Sequence, residues 1–189
     1  MFDKLLKHLQ EKVELTDNDR KRIPMFFEHK KIRKRQFLIQ EGDFCKNLTF
    51  VSEGIIKSYT LDDKGNEHIS LFAWEGWWVS DFRSFICGEK SILSIDAIED
   101  SEVLVISKPN YERLLEEIPV MERYFRILYQ NSLVTKDRRL ISSNTYSAEE
   151  KYKELVSMYP QIPQRIPQHL IASYLGVTPE TISRIKKNI

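Results

Sequence analysis

RIPQHLIASYLGVTPETISRIKKNI, residues 165–189, reads as a helix, a tight turn and a second helix. Leu170, Ile171, Tyr174 and Leu175 give a first helix, Gln168 to Leu175, one apolar side. Gly176 supplies the positive φ that ends it, and Val177 is a buried spacer. Thr178-Pro179-Glu180 then opens the second helix: Thr178 as N-cap, Pro179 at the first helical position, Glu180 at the positive end of the dipole. Ile182, Ile185 and Ile189 recur at spacings of three and four and face inward, leaving Glu180, Ser183, Arg184 and Lys187 outward. A helix-turn-helix presents its recognition helix to the DNA major groove in this way. The same residues also suit an ordinary helical hairpin in a core.

Upstream, Pro160 and Pro163 stop a helix capped by Ser147-Ala148-Glu149-Glu150, with Tyr152, Leu155, Val156 and Tyr159 as its packing side. Ser142-Ser143-Asn144-Thr145 reads as a polar hinge. Before it lies the longest helical stretch, about Val120 to Ser142. Along it Val120, Tyr124, Ile127, Asn131, Val134, Arg138 and Ile141 alternate at spacings of four and three. That is a heptad seam with a polar Asn in the middle, as in a parallel dimer that must fix its register. Met121, Phe125 and Leu128 form a second stripe, suited to packing on the preceding domain.

From Gln36 to Ile106 the pattern changes to short strands. QFLIQEGD, LTFVSEG, IIKSYTLDDKGNEHISLFAW, SILSIDAIED and SEVLVIS are rich in β-formers with polar turns between them. Asp62-Asp63-Lys64-Gly65-Asn66 is the clearest hairpin turn. Many short strands at regular spacing predict a β-barrel or roll. Ahead of it come two helices, one carrying Phe2, Leu5, Leu6 and Leu9, the other capped at Thr16 and running through Ile23 and Phe27. Ser107 and Pro109 open a further helix behind the strands. The fold class is therefore α+β. Residues 1–119 form a β-roll domain, 120–142 a dimerisation helix and 143–189 a helix-turn-helix domain.

The chain has 189 residues, 30% charged and 41% hydrophobic, with a net charge of only +1. Any nucleic-acid surface must be local, because no global positive field exists. The densest basic run, Lys30, Lys31, Arg33, Lys34 and Arg35, suits a solvated strand flank better than a phosphate patch. No run reaches the roughly 18 apolar residues of a membrane span, and the start carries no signal-peptide pattern. With two cysteines, Cys45 and Cys87, the chain reads as cytoplasmic and without a disulfide framework.

Roll, long helix and helix-turn-helix, in that order, resemble the bacterial cyclic-AMP receptor protein / fumarate-nitrate regulator superfamily. Two pieces carry the resemblance. Glu41-Gly42-Asp43 with Phe50-Val51-x-x-Gly54-x-x-Lys57 is similar to the early strands of the family's roll. Ile171-Ala172-x-x-Leu175-Gly176-Val177-Thr178-x-Glu180-Thr181-Ile182-Ser183-Arg184-Ile185 is similar to its helix-turn-helix. The resemblance implies a homodimeric transcription regulator that binds double-stranded DNA, with RNA polymerase as a further partner and a small-molecule effector in the roll. It also implies that Glu180 and Arg184 read bases. Glu accepts from cytosine N4, and Arg bonds guanine O6 and N7. Pro179 stands where many relatives place a base-reading Arg, so the operator should differ. Thr178, Thr181, Ser183, Lys186 and Lys187 would contact phosphates, with Gln168 and His169 at the first helix N-terminus. With Ile189 as the last residue, a wingless interface is expected.

The family's cyclic-nucleotide cassette pairs Gly-Glu for the ribose with Arg-Ser/Thr for the phosphate. Here Ser80-Asp81 and Ser91-Ile92 fall in those slots, so the guanidinium that would cancel the phosphate charge is missing. No cofactor is expected: an iron–sulfur cluster needs about four thiolates. His8, His29, His68 and His169 are scattered, with no metal-ligand spacing. Phe72, Trp74, Trp77, Trp78, Phe82 and Phe85 cluster around the cassette, either lining an apolar pocket or sealing the roll against the long helix. No nucleophile–base–orienter arrangement stands out, so the chain does not read as an enzyme. The competing class is a ligand-binding or protein-interaction module of the same fold with weak or no DNA binding. Calorimetry against cyclic AMP should show no binding heat; a micromolar affinity would overturn the reading of the cassette.

Overall fold

The computed structural model describes residues 2–188. Ile189, expected on the inner face of the last helix, lies outside them. The described residues group into two compact units: residues up to Thr60 with Leu71–Tyr129, and Leu61–Ser70 with Gln130 onward.

In the first unit, helix α1 (Phe2–Gln10) buries Leu5 and Leu9, and α2 (Asp17–Arg22) opens on a complete Thr16–Asp19 capping box. The second helix was expected to run through Phe27. Pro24 cannot donate to an α-helical ladder, so the chain tightens into a 3-10 turn at Ile23–Phe26 instead.

Strands β1 (Glu28–Ile32), β2 (Phe37–Ile39), β3 (Asn47–Glu53), β4 (Ile56–Leu61), β5 (Glu67–Ala73), β6 (Trp78–Val79), β7 (Ser94–Ala97) and β8 (Ser101–Ser107) make the roll. They form sheets ordered β1-β8-β3-β6 and β2-β7-β4-β5. β1 carries part of the basic run and was not foreseen as a strand, because only Ile32 of its five residues is buried. It is a sheet edge paired with β8, and Glu102 across from it takes both Lys31 and His29 at 3.3 Å. Gly54, at φ 91°, lies so close to Ser101 that a Cβ would come within 2.2 Å of its Oγ, so no other residue fits there. Lys57 and Asp96 face each other across β4 and β7, their charges 3.6 Å apart and both nearly sealed from water.

After α3 (Phe82–Cys87) and α4 (Lys108–Glu117, capped by Ser107) comes α5, Val120–Thr145. Its first turns complete the roll's core: Met121, Tyr124 and Phe125 are buried beside Phe50, Leu104 and Ile106. Trp78 donates its indole N–H to the Tyr124 hydroxyl at 2.7 Å and lies edge-on to Phe125. The aromatic cassette thus seals the roll against the long helix. This differs from the expected dimer seam: Tyr124 is wholly buried in the roll's core, and Val120 packs on the same core. Asn131, Val134 and Arg138 are exposed, as are Leu133, Leu140 and Ile141. The polar hinge is also absent, since Ser142–Thr145 stay helical and the Thr145 hydroxyl donates back to the Ile141 carbonyl at 2.8 Å.

His8 packs against Phe50 and Tyr124, at 5.6 and 6.0 Å between ring centroids, and its Nε2 is buried without a hydrogen bond. Burial, then the nearby Lys12 charge, lower its pKa to about 4 from 6.5. A depressed folded-state value means that His8 costs no stability above about pH 6.5 and destabilises the fold as pH falls towards 4. Denaturant titrations of His8→Gln should therefore show a flatter stability profile across that interval; a profile as steep as the parent's would assign the acid sensitivity elsewhere.

Candidate nucleic-acid interface and roll cavity

In the second unit, α6 (Ala148–Met158), α7 (Ile162–Arg165), α8 (Gln168–Leu175) and α9 (Pro179–Lys187) bury Tyr152, Leu155, Ile162, Ile166, Leu170, Ile171, Ala172, Ile182 and Ile185. α8 has the bounds expected from the sequence, and α9 begins where expected, at Pro179 behind Thr178. Gly176, at φ 69°, caps α8, and its N–H bonds back into the last turn. The Thr178 hydroxyl accepts from the Thr181 N–H and starts α9 behind Pro179. Val177 is half-buried rather than sealed.

Burial of Ile182 and Ile185 turns Glu180, Ser183, Arg184, Lys186 and Lys187 to the outside of α9, with Thr178 and Pro179 exposed at its start and Thr181 half-buried. Among the described residues Arg184, Lys186 and Lys187 have no ion-pair partner, so their charges are available to an external anion. The backbone N–H of Glu180, then the Thr178 hydroxyl, hold the Glu180 carboxyl below the usual range and keep it a pure acceptor.

Two expected contacts change. Gln168 does not reach outward: its Nε2 donates to the Pro179 carbonyl at 2.9 Å and to Ser183 Oγ at 2.6 Å. Ser183 in turn donates to the Pro179 carbonyl at 3.1 Å. A hydroxyl has one proton to give, so Ser183 has none for a phosphate. The pair binds the two helices to each other instead. His169 is exposed, as a backbone contact requires.

The effector cassette is also rearranged. Asp81 is buried and caps α3, accepting from the Ser84 N–H at 3.1 Å and from the Ser91 hydroxyl at 2.7 Å. Ile92 is 55% exposed. Asp81 and Ser91 are thus spent on each other, and the residues present do not fit a cyclic nucleotide's phosphate and ribose. Of the four cassette residues only Ser80 lines the roll's cavity of about 680 Å³, where Cys45, Asn47, Thr49, Val79 and Ile95 also face. The Ser80 hydroxyl bonds the Asn47 carbonyl at 3.2 Å and meets Cys45 Sγ at 3.1 Å. Among the described residues no cluster of His, Cys, Asp or Glu could hold a metal ion, and no helix is long and apolar enough to cross a membrane.

The chain thus combines a two-sheet roll, a long helix and a capped helix-turn-helix. Residues 29–118 match the cyclic nucleotide-binding domain family. The regulatory protein HlyX of Actinobacillus pleuropneumoniae is 27% identical over 188 residues, covering 90% of this chain and 75% of its own. The fumarate and nitrate reduction regulatory protein of Vibrio cholerae is 28% identical over 185 residues, covering 90% and 72%. The structure of the c-di-GMP-responsive global regulator CLP of Xanthomonas campestris superposes with a TM-score of 0.73 at 14% identity, covering 92% of this chain and 91% of that one, a likeness of fold. Over 90% of its length the chain is thus similar to bacterial regulators of the Fnr type, and its residues 29–118 match the cyclic nucleotide-binding domain.

Thr178 sets the start of the outward face, which gives a direct test. Thr178→Ala should cost about 1 kcal/mol in denaturant unfolding and raise hydrogen exchange at the Thr181 amide, while Thr178→Ser restores both. Unchanged exchange in the Ala variant would show that the cap does not hold α9.

Proposed function

We propose that this chain is a homodimeric, sequence-specific DNA-binding transcription regulator, in which the exposed face of α9 reads the major groove. The observation that supports this reading best is that face itself. Glu180 and Arg184, one turn apart on a helix whose apolar side is buried, present an acceptor and a bidentate donor to base edges. Lys186, Lys187, Thr178, Thr181 and His169 flank them for phosphates; Gln168 and Ser183 brace the two helices.

Pairing comes from α5. At 3.6 residues per turn, Val134 and Ile141 fall on the side opposite Met121 and Phe125 and Leu133 and Leu140 about a quarter turn from them, all four more than half exposed. An apolar stripe of this kind on a charged helix suits burial against a second copy. Asn131 and Arg138 border it, and Val120, Tyr124 and Ile127, which pack in or on the roll's core, take no part. Two α9 helices carried by such a dimer would meet half-sites roughly 34–36 Å apart in a pseudo-palindrome. The effector is a ligand other than cyclic AMP, or none.

Selection of genomic fragments with the purified protein tests this. Arg184→Ala should weaken a selected site by about 1–3 kcal/mol, roughly 5- to 150-fold, and relax the preference at one base position. Affinity should fall steeply with added salt as phosphate counterions are released. Salt-independent binding, or a site held as tightly without Arg184, would favour a ligand- or protein-binding module instead.

A further inference from the structure

The outer end of the β4–β5 hairpin is held rigid by one carboxylate. Asp62 accepts from the backbone N–H groups of Lys64 and Asn66 and from the Asn66 side chain, each at 2.9 Å, with His68 at 3.2 Å. These bonds, led by the Asn66 side chain, hold its acidity well beyond the usual carboxylate range. The hairpin therefore presents a fixed row of backbone groups past Asn66. Ser173, half-buried on α8, takes the place of a neighbouring strand: its hydroxyl donates to the Glu67 carbonyl and accepts from the Ile69 N–H at 3.1 Å.

Arg139 joins the same hairpin to two helices at once. From α5 its guanidinium donates to the Ser70 carbonyl, to the Ile69 carbonyl at 3.1 Å and to the Tyr174 carbonyl at 3.2 Å. It also lies flat over the Tyr174 ring, 4.0 Å from the centroid. Tyr174 is in the last turn of α8, where free carbonyls and the negative end of the helix dipole favour a cation. A planar fork with five donors can serve three carbonyls in two segments; an ammonium on a flexible stem holds them less firmly.

We propose that Arg139, with Ser173, is a positioning clamp for DNA reading: it fixes α8, and through the Gln168–Ser183 brace α9, to the helix that carries the dimer stripe. Arg139 follows Arg138 and precedes Leu140 and Ile141, so the clamp is built into the same turns as that stripe. The spacing between the two recognition helices is then set by the clamp, not by the flexibility of the chain after α5. This proposal rests on the DNA-reading function given above and goes beyond it, by assigning half-site spacing to residues that do not touch DNA.

The test uses full-length protein and a selected pseudo-palindrome, together with versions in which one base pair is added or removed between the half-sites. Arg139→Ala should bind the parent site about tenfold more weakly, as expected when charged hydrogen bonds that preorganise a binding surface are lost. It should also discriminate less between the three spacings, keep the salt dependence of the parent protein and lose protection at the Ile69 amide. Arg139→Lys should recover part of each effect. Should Arg139→Ala fail to fold, Ser173→Ala, which removes one hydroxyl, should show the same relaxed spacing in smaller measure. Unchanged spacing preference in Arg139→Ala, with Arg184→Ala still defective, overturns the clamp and leaves the DNA-reading function intact. Tighter binding by Arg139→Ala also overturns it, since the contact would then be inhibitory. A wild-type protein that selects no site, or an Arg184→Ala variant that binds as well as wild type, overturns the reading function on which the clamp rests.

Discussion

The hydrogen bond from the Trp78 indole to the Tyr124 hydroxyl sets the rotation of α5 about its own axis. Both groups lie in the aromatic core, where an unpaired phenol or indole N–H would cost about 1–3 kcal/mol. Desolvation raises the Tyr124 pKa and keeps the hydroxyl protonated and available. With Tyr124 held inside, Met121 and Phe125 follow it, so the first turns of this 26-residue helix are committed to the roll's core.

The helix-turn-helix is organised by local rules and not by overall charge. A net charge of +1 gives no long-range attraction, so the DNA reading proposed for it rests on placement. Gly176 ends one helix, Thr178 starts the next, and the Gln168–Ser183 bond locks the angle between them. Each is a short-range device that fixes a backbone direction before any ligand is present, which reduces the ordering cost of binding.

Much of this was legible in the chain because it is written locally. The first helix of the helix-turn-helix and the start of the second are legible, since Gly176, Thr178 and Pro179 each act within a turn. The roll was legible from alternating short strands, and the capping residues Thr16, Ser107 and Ser147 from their side chains. The misreadings were tertiary. Tyr124 fits a heptad as well as a core, and only the position of Trp78, 46 residues earlier, decides between them. Glu28–Ile32 is too polar to announce a strand, and its partner is supplied by Glu102. Ser183 was placed on phosphate because periodicity gives the face of a helix and says nothing of Gln168 on another. Arg139 carried no signal in the sequence at all: its acceptors are main-chain carbonyls, which any residue provides.

The sealed Lys57–Asp96 pair restricts how this roll can change over time. Exchanging both members of such a pair for well-packed apolar side chains is often neutral or stabilising, yet removing one alone deprives the other buried charge of its ion-pair partner, a change that in general costs about 3–5 kcal/mol. That is a large part of the roughly 5–15 kcal/mol by which a domain is stable. Neither residue can drift independently, and every single-step path away from the pair crosses a poorly folded intermediate. The two positions should therefore behave as one inherited character, kept because the exit is blocked and not because the pair adds much to stability.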